Sequence, residues 1–260
     1  YITEQIMKQL QTTICCKEGV LVGISWCLNE IMDNVFNHSK SHRGYLMVQV
    51  HKRKKNVSIS VFDTGIGILN SLSISKIYNP CNEVEAIKLP LEKGVTSDKQ
   101  IGQGNGLWGL RQILKENKGY LTIASGRTSI RYNFQKNAEE IFTRLPIISK
   151  QKLCTRVDFT FQFDRLTDIN KALDNYTPYE KINYYADNIE NSDGCLVFKV
   201  INESNEGFGT RQAGRKVRNQ LINLSRYDNR FILINFDGIN IISSSFADEF
   251  IGKLVKEIEV

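Results

Sequence analysis

The run Gly102-Gln103-Gly104-Asn105-Gly106-Leu107-Trp108-Gly109 constrains this chain more than any other stretch. Glycines at alternate positions free a backbone to take positive φ and to turn several N–H groups toward one point, which suits an oxyanion. Leu107 to Asn117 follows with Leu110, Ile113 and Leu114 at helical spacing, so a helix N-terminus would bring its positive dipole end to the same place. A phosphate group is the natural occupant; a plain glycine loop capping a helix is the alternative. Gly104, Gly106 and Gly109 satisfy the dinucleotide GxGxxG spelling. That motif needs an apolar strand directly before it, however, and Thr96 to Gln103 is polar. The Gly-Lys-Ser/Thr of a P-loop is absent.

Two upstream stretches give this loop partners. Residues 18 to 38 read as one helix with Leu21, Ile24, Leu28, Ile31 and Val35 on one face and Glu30, Asn34, Asn37 and His38 on the other. Glu30 and Asn34, four apart, point at one spot, where a carboxylate could activate water and an amide oxygen could ligate a hard cation. A plain wet surface is the competing reading. Next, Gly44 to Val50 and Val57 to Phe62 alternate as strands around His51-Lys52-Arg53-Lys54-Lys55, which reads as a solvated hairpin tip rather than a nucleic-acid contact. The second strand ends in Asp63-Thr64-Gly65-Ile66-Gly67. An acid there can accept hydrogen bonds from an exocyclic amine while the glycines let a flat ring lie on the backbone, unless this is an ordinary Asp-x-Gly turn.

Residues 69 to 101, broken by Pro80 and Pro90, read as a long irregular connection of the kind that serves as a lid. Beyond the loop helix, Tyr120 to Ala124 and Ile130 to Phe134 read as a hairpin and Thr155 to Phe163 as a last strand.

A length of 260 residues with 41% hydrophobic and 24% charged side chains describes one or two ordinary globular domains. No apolar run approaches the roughly 18 residues of a membrane span and no signal peptide opens the chain, so a cytoplasmic protein without membrane contact is expected. The chain begins at Tyr1, which leaves room for a preceding part. Six cysteines without CxxC pairs argue against zinc or a disulfide framework.

In order and spacing, Asn29-Glu30-Ile31-Met32-Asp33-Asn34 resembles the N-box, Asp63-Thr64-Gly65-Ile66-Gly67 the first glycine box and Gly102 to Leu110 the second, of one ATPase superfamily. Its members are gyrase, the ninety-kilodalton heat-shock chaperone, histidine kinases and mismatch-repair ATPases, which share the Bergerat fold. The resemblance implies ATP and Mg2+ as ligands. It implies Asn34 as the metal ligand, Asp63 as the adenine-specifying acid, Gly65 and Gly67 beneath the base, Gly102, Gly104, Gly106 and Leu107 around the phosphates, and Glu30 as general base. Thr155 matches the threonine that supports adenine binding, although Cys154 stands where the family keeps glycine. Asn34-Val35-Phe36-Asn37-His38-Ser39 is also similar to anti-sigma-factor serine kinases. No pair of dimerising helices with an acceptor histidine precedes it, which speaks against a sensor histidine kinase.

Residues 164 to 193 are rich in Asp, Asn and Tyr and read as a linker with some helix. Leu196 to Ile201 and Phe231 to Phe236 read as strands, and Thr210 to Leu224 and Ser245 to Ile258 as helices, so a small α/β layer structure follows. Ile232 to Ile239 with Ile242-Ser243-Ser244-Ser245-Phe246 resembles the STAS fold of anti-sigma-factor antagonists. Phe208-Gly209-Thr210-Arg211 is similar to a bacterial STAS-like module found beside such ATPase domains. In antagonists a serine at this junction is phosphorylated, which makes Ser244 and Ser245 candidate phospho-acceptors; the alternative is a helix start capped by Ser245, with Phe246, Phe250, Leu254 and Ile258 facing a core.

The expected architecture is therefore α/β: a two-layer sandwich of mixed sheet and helices over residues 1–165, a linker over 166–194 and a STAS-like domain over 195–260. The expected function is Mg-ATP-binding signalling of a bacterial type, with ATP hydrolysis and nucleotide control of the lid and of the second domain. Serine phosphotransfer and an ATP-gated module without turnover stay open beside it. A protein partner is expected through the STAS-like domain, and the resemblance admits a homodimer.

Overall fold

One antiparallel sheet carries the first of two units into which the chain divides, Val22–Tyr176. The computed structural model describes residues 2–75, 77–96, 104–144, 153–175, 186 and 189–257. The strands are β1 (Gly44–His51), β2 (Asn56–Asp63), β3 (Tyr120–Ser125), β4 (Thr128–Asn133), β5 (Ala138–Phe142) and β6 (Thr155–Gln162), in the order β1-β2-β6-β3-β4-β5. Every neighbouring pair is antiparallel, so the sheet is not mixed. Tight hairpins join β1 to β2 and β3 to β4, and β6 enters between β2 and β3 running against both.

Helices α2 (Val20–His38), α3 (Gly67–Ser75), α4 (Glu83–Lys88), α5 (Gly106–Asn117) and α6 (Ile169–Ala172) accompany this sheet, while α1 (Ile2–Thr13) belongs to the other unit. The expected apolar stripe of α2, Leu21, Ile24, Leu28, Ile31 and Val35, is buried. Gly23 lets α2 approach closely: a Cβ there would lie 3.0 Å from Ile169, 3.1 Å from Ile113 of α5 and 3.2 Å from Phe161 of β6. Truncating a fully buried leucine such as Leu28 would cost about 2–5 kcal/mol. At the other end of α5 the buried Asn117 accepts from Gln162 N at 2.7 Å and donates to Gln162 O at 3.0 Å, so one amide side chain pairs with the end of β6 as a strand would.

The stretch 69–101 differs from an irregular connection. It holds the rest of α3, α4 and a 3₁₀ turn Leu89–Leu91 with Pro90 inside, because Asn82 caps α4 by accepting from Glu85 N, and a proline is tolerated in a first turn. Strand β5 carries no apolar alternation, being exposed throughout, and was invisible to the pattern argument.

The second unit joins Tyr1–Leu21 to Thr177–Val260. Residues 2–21 thus pack within this unit. The reason is a set of side-chain amides on α8 (Arg211–Tyr227) that read the end of α1: Asn223 donates to Gln11 O and Ile14 O and accepts from Cys16 N, and Asn219 donates to Thr12 O. Strand β7 (Leu196–Lys199) pairs in parallel with β8 (Ile232–Asn235), as a crossover through a helix requires. The sequence carried β7 on to Ile201, but Val200–Glu203 turns into the short helix α7. Helix α9 (Ser244–Ala247) runs through a π turn, Asp248–Gly252, into α10 (Lys253–Glu257). Phe246, Phe250 and Leu254 enter the core with Leu196, Phe198, Val217 and Leu221. Ile258 and linker residues 176–185 lie outside the described residues.

Candidate functional site

Three strands end together at Asp63. The register sets Asp63 of β2 opposite Thr155 of β6, and Thr155 opposite Ser125 of β3. Asp63 is 4% exposed, and its Oδ1 accepts from Gly65 N at 2.8 Å. Burial raises its carboxyl above the ordinary range, opposed by the backbone N–H groups of Gly65 and Thr155. Gly65 has a reason of its own to be glycine. A Cβ there would stand 2.0 Å from Ser39 O, which receives the neighbouring Ile66 N at 2.9 Å. Gly67, at φ +74°, starts α3, and Ile68 N donates to Ser125 Oγ at 2.8 Å. Buried Cys154, beside Thr155, has its thiol pushed up by burial and then by the charge of Asp63.

The glycine box and α2 meet at a second point. A Cβ on Gly106, the first residue of α5, would lie 2.6 Å from Glu30 Oε2. Burial, then the charge of Asp33, raises the Glu30 carboxyl. The α5 N-cap, Asn105, makes no side-chain capping bond; its Oδ1 instead accepts from Gly94 N at 3.2 Å, and Gly94 N also reaches Gly104 O at 3.1 Å. The Glu92-Lys93-Gly94 segment is thereby tied to the glycine run. Gly104, at φ +74°, has no room for a side chain, since a Cβ would stand 2.6 Å from the backbone of Gly94 and Val95.

Asn34 sits one turn beyond Glu30 on α2, and half-buried Leu107 sits in the first turn of α5. Gly102 lies outside the described residues. Sequence reasoning missed Ser125, Ser39 and Trp26. Trp26 precedes Glu30 by one helical turn and packs so closely on α5 that a Cβ on Gly109 would lie 2.2 Å from its ring; its buried Nε1 finds no acceptor among the described residues. The Trp26, Glu30, Asn34 spacing was the available signal.

At the other candidate position, Ser243 caps α9, its Oγ accepting from Phe246 N at 3.1 Å and donating to Gly209 O at 3.0 Å. The cap is thus not Ser245, because the helix starts two residues earlier than the apolar spacing required. Ser244 and Ser245 are exposed.

The family model described as "Histidine kinase-, DNA gyrase B-, and HSP90-like ATPase" matches residues 19–162, more than half of the chain. The chain belongs to this ATPase family. A second model, a STAS-like domain of unknown function (DUF4325), matches residues 213–260, so the ATPase domain is followed by a STAS-like one. Among solved structures, the 43K ATPase domain of Thermus thermophilus gyrase B, determined in complex with an aminocoumarin, is similar at 16% identity and a TM-score of 0.24. That match covers 58% of this chain and 36% of the gyrase chain, so this chain spans about a third of it. No curated protein matches. Glu30, Asn34, Asp63, Gly65, Gly67, Gly104, Gly106, Leu107 and Thr155 all fall inside the ATPase domain; Ser244 and Ser245 fall in the STAS-like one. Among the described residues no helix is long and apolar enough to cross a membrane.

Proposed function

We propose that this chain is a magnesium-dependent ATP-binding signalling protein that hydrolyses ATP, its STAS-like domain passing the nucleotide state to a protein partner. The observation that carries the reading is the meeting of Glu30 with Gly106, which brings an acid from the N-box to the glycine box and the first turn of α5.

The residues fit the ligand in kind. Buried Asp63 is an acceptor in a dry setting, suited to an exocyclic amine. The α5 N-terminus lacks a side-chain cap, as expected beside an anion's place. No cluster of three His, Cys, Asp or Glu side chains offers a cation cage among the described residues, and Mg2+ commonly takes one or two protein oxygens with phosphate and water. Asn34 would supply that oxygen.

Bound Mg-ATP would supply a transferable phosphoryl group with its charge neutralised. Glu30, its pKa raised by burial, would in its ionised form take a proton from the attacking water, the work of a general base. Asp63 would fix the base, and Gly104 and Gly106 would keep side chains out of the phosphate path. Serine phosphotransfer is the second reading, favoured by Ser243 taking the cap and leaving Ser244 and Ser245 exposed. Incubation with γ-labelled ATP and magnesium, following free phosphate and intact mass together, separates the two. Free phosphate with unchanged mass supports hydrolysis, a mass gain on the STAS-like domain supports transfer, and neither sinks both.

A further inference from the structure

The two ends of the sheet are built differently. Strand β5 is short and carries Glu139 and Glu140, which pair with Lys88 and Arg131. Charge along an edge of that kind discourages another strand from adding. Strand β1, at the opposite end, has none of these guards. Gly44–His51 has no proline and no acidic or Lys/Arg side chain, and it matches β2 residue for residue without a bulge. Among the described residues its outer edge has no strand partner. Tyr45 and Met47 stand 52% and 60% exposed beside it, and Phe36 is 72% exposed next to Val35, whose Cγ1 would lie 2.9 Å from a Cβ on Gly44. Basic residues flank the strand at both ends, Lys40 and Arg43 before it and Lys52, Arg53 and Lys54 after it, and no acidic residue occurs from Lys40 to Lys55.

We infer that the β1 edge is a docking site for an extended acidic segment of a partner protein, which adds as a further strand. Main-chain hydrogen bonds along β1 would supply affinity, alternate apolar side chains would meet Tyr45 and Met47, and carboxylates would reach the basic ends. A second copy of this chain is the poorer occupant. An antiparallel β1 to β1 pair would bring Arg43 of one copy to the Lys52-Arg53-Lys54 end of the other, setting like charges together.

The test uses the full chain and a peptide alternating glutamate and valine, matched to β1 in length. Expected is binding that weakens with salt. It should fall roughly tenfold or more when alternate peptide nitrogens are methylated, and again when Lys52→Glu and Lys54→Glu are combined without loss of melting temperature. Equal binding by the methylated peptide would mean charge attraction alone and overturn the proposal. So would no binding at millimolar peptide, or a concentration-dependent doubling of mass that Val48→Pro abolishes.

Discussion

The carboxylate of Glu30 lies against the backbone of Gly106, so that the space a Cβ would fill at Gly106 is the space in front of Glu30 Oε2, 2.6 Å away. One substitution can therefore displace the acid without touching it. A glutamate tip can swing aside, so Gly106→Ala should leave the melting temperature nearly unchanged while lowering ATP turnover on the order of 10²-fold. Glu30→Ala should retain nucleotide and lose ~10²–10⁴-fold in rate. Wild-type turnover in both variants would move the base elsewhere.

Acidity gives a second expectation. Glu30 and Asp63 have carboxyls raised above 4.5 and 3.8 in the folded protein, by burial first in each case. The native state then holds these protons more tightly than the unfolded chain, so the stability they contribute is present below the ordinary carboxylate range and is lost as pH rises through the raised values. Without nucleotide, Glu30→Gln and Asp63→Asn should melt higher than wild type at neutral pH, and the difference should shrink toward pH 4. Thermal melts across that range check it; a loss of stability at neutral pH in both variants contradicts it.

Glu249 behaves in the opposite sense. Burial alone would raise it, but hydrogen bonds from Lys253, Arg215 and Arg218 hold its carboxyl down at about 2. Its contribution is present above 4.5 and is lost as pH falls toward about 2. Arg218 is 8% exposed and donates to Glu249 Oε1 and O, each at 2.8 Å. Glu249→Gln should cost about 3–5 kcal/mol by leaving that guanidinium buried beside a neutral group, as read by chemical denaturation.

The amides that hold α1 should matter similarly. Asn223→Ala strands Cys16 N, Gln11 O and Ile14 O, and each unsatisfied buried group costs about 1–3 kcal/mol. Faster amide exchange at Cys16, with exchange in β6 unchanged, is the expected result.

Much of this was legible in the chain itself. The buried stripe of α2 followed from spacing, and Glu30, Asp63 and the glycine run were chosen by residue type and order. What joins them was not legible. The pairing of Asp63 with Thr155 and Ser125 is a matter of register between strands far apart in sequence. The demand that the Ser39 carbonyl makes for glycine at 65 crosses 26 positions of sequence. Helix α4 hid behind the prolines around it, and three consecutive serines each able to cap left the start of α9 to be decided by the Ser243 contact with Gly209.

Titration of wild type and Asp63→Asn with ATP and with GTP, each with and without magnesium, tests the central claim most directly. A buried charge-assisted hydrogen bond to the base is worth about 1.5–3 kcal/mol, so wild type should prefer ATP and the variant should lose roughly ten- to a hundredfold in ATP affinity while gaining nothing for GTP. Equal affinities for both nucleotides in both proteins would contradict the assignment.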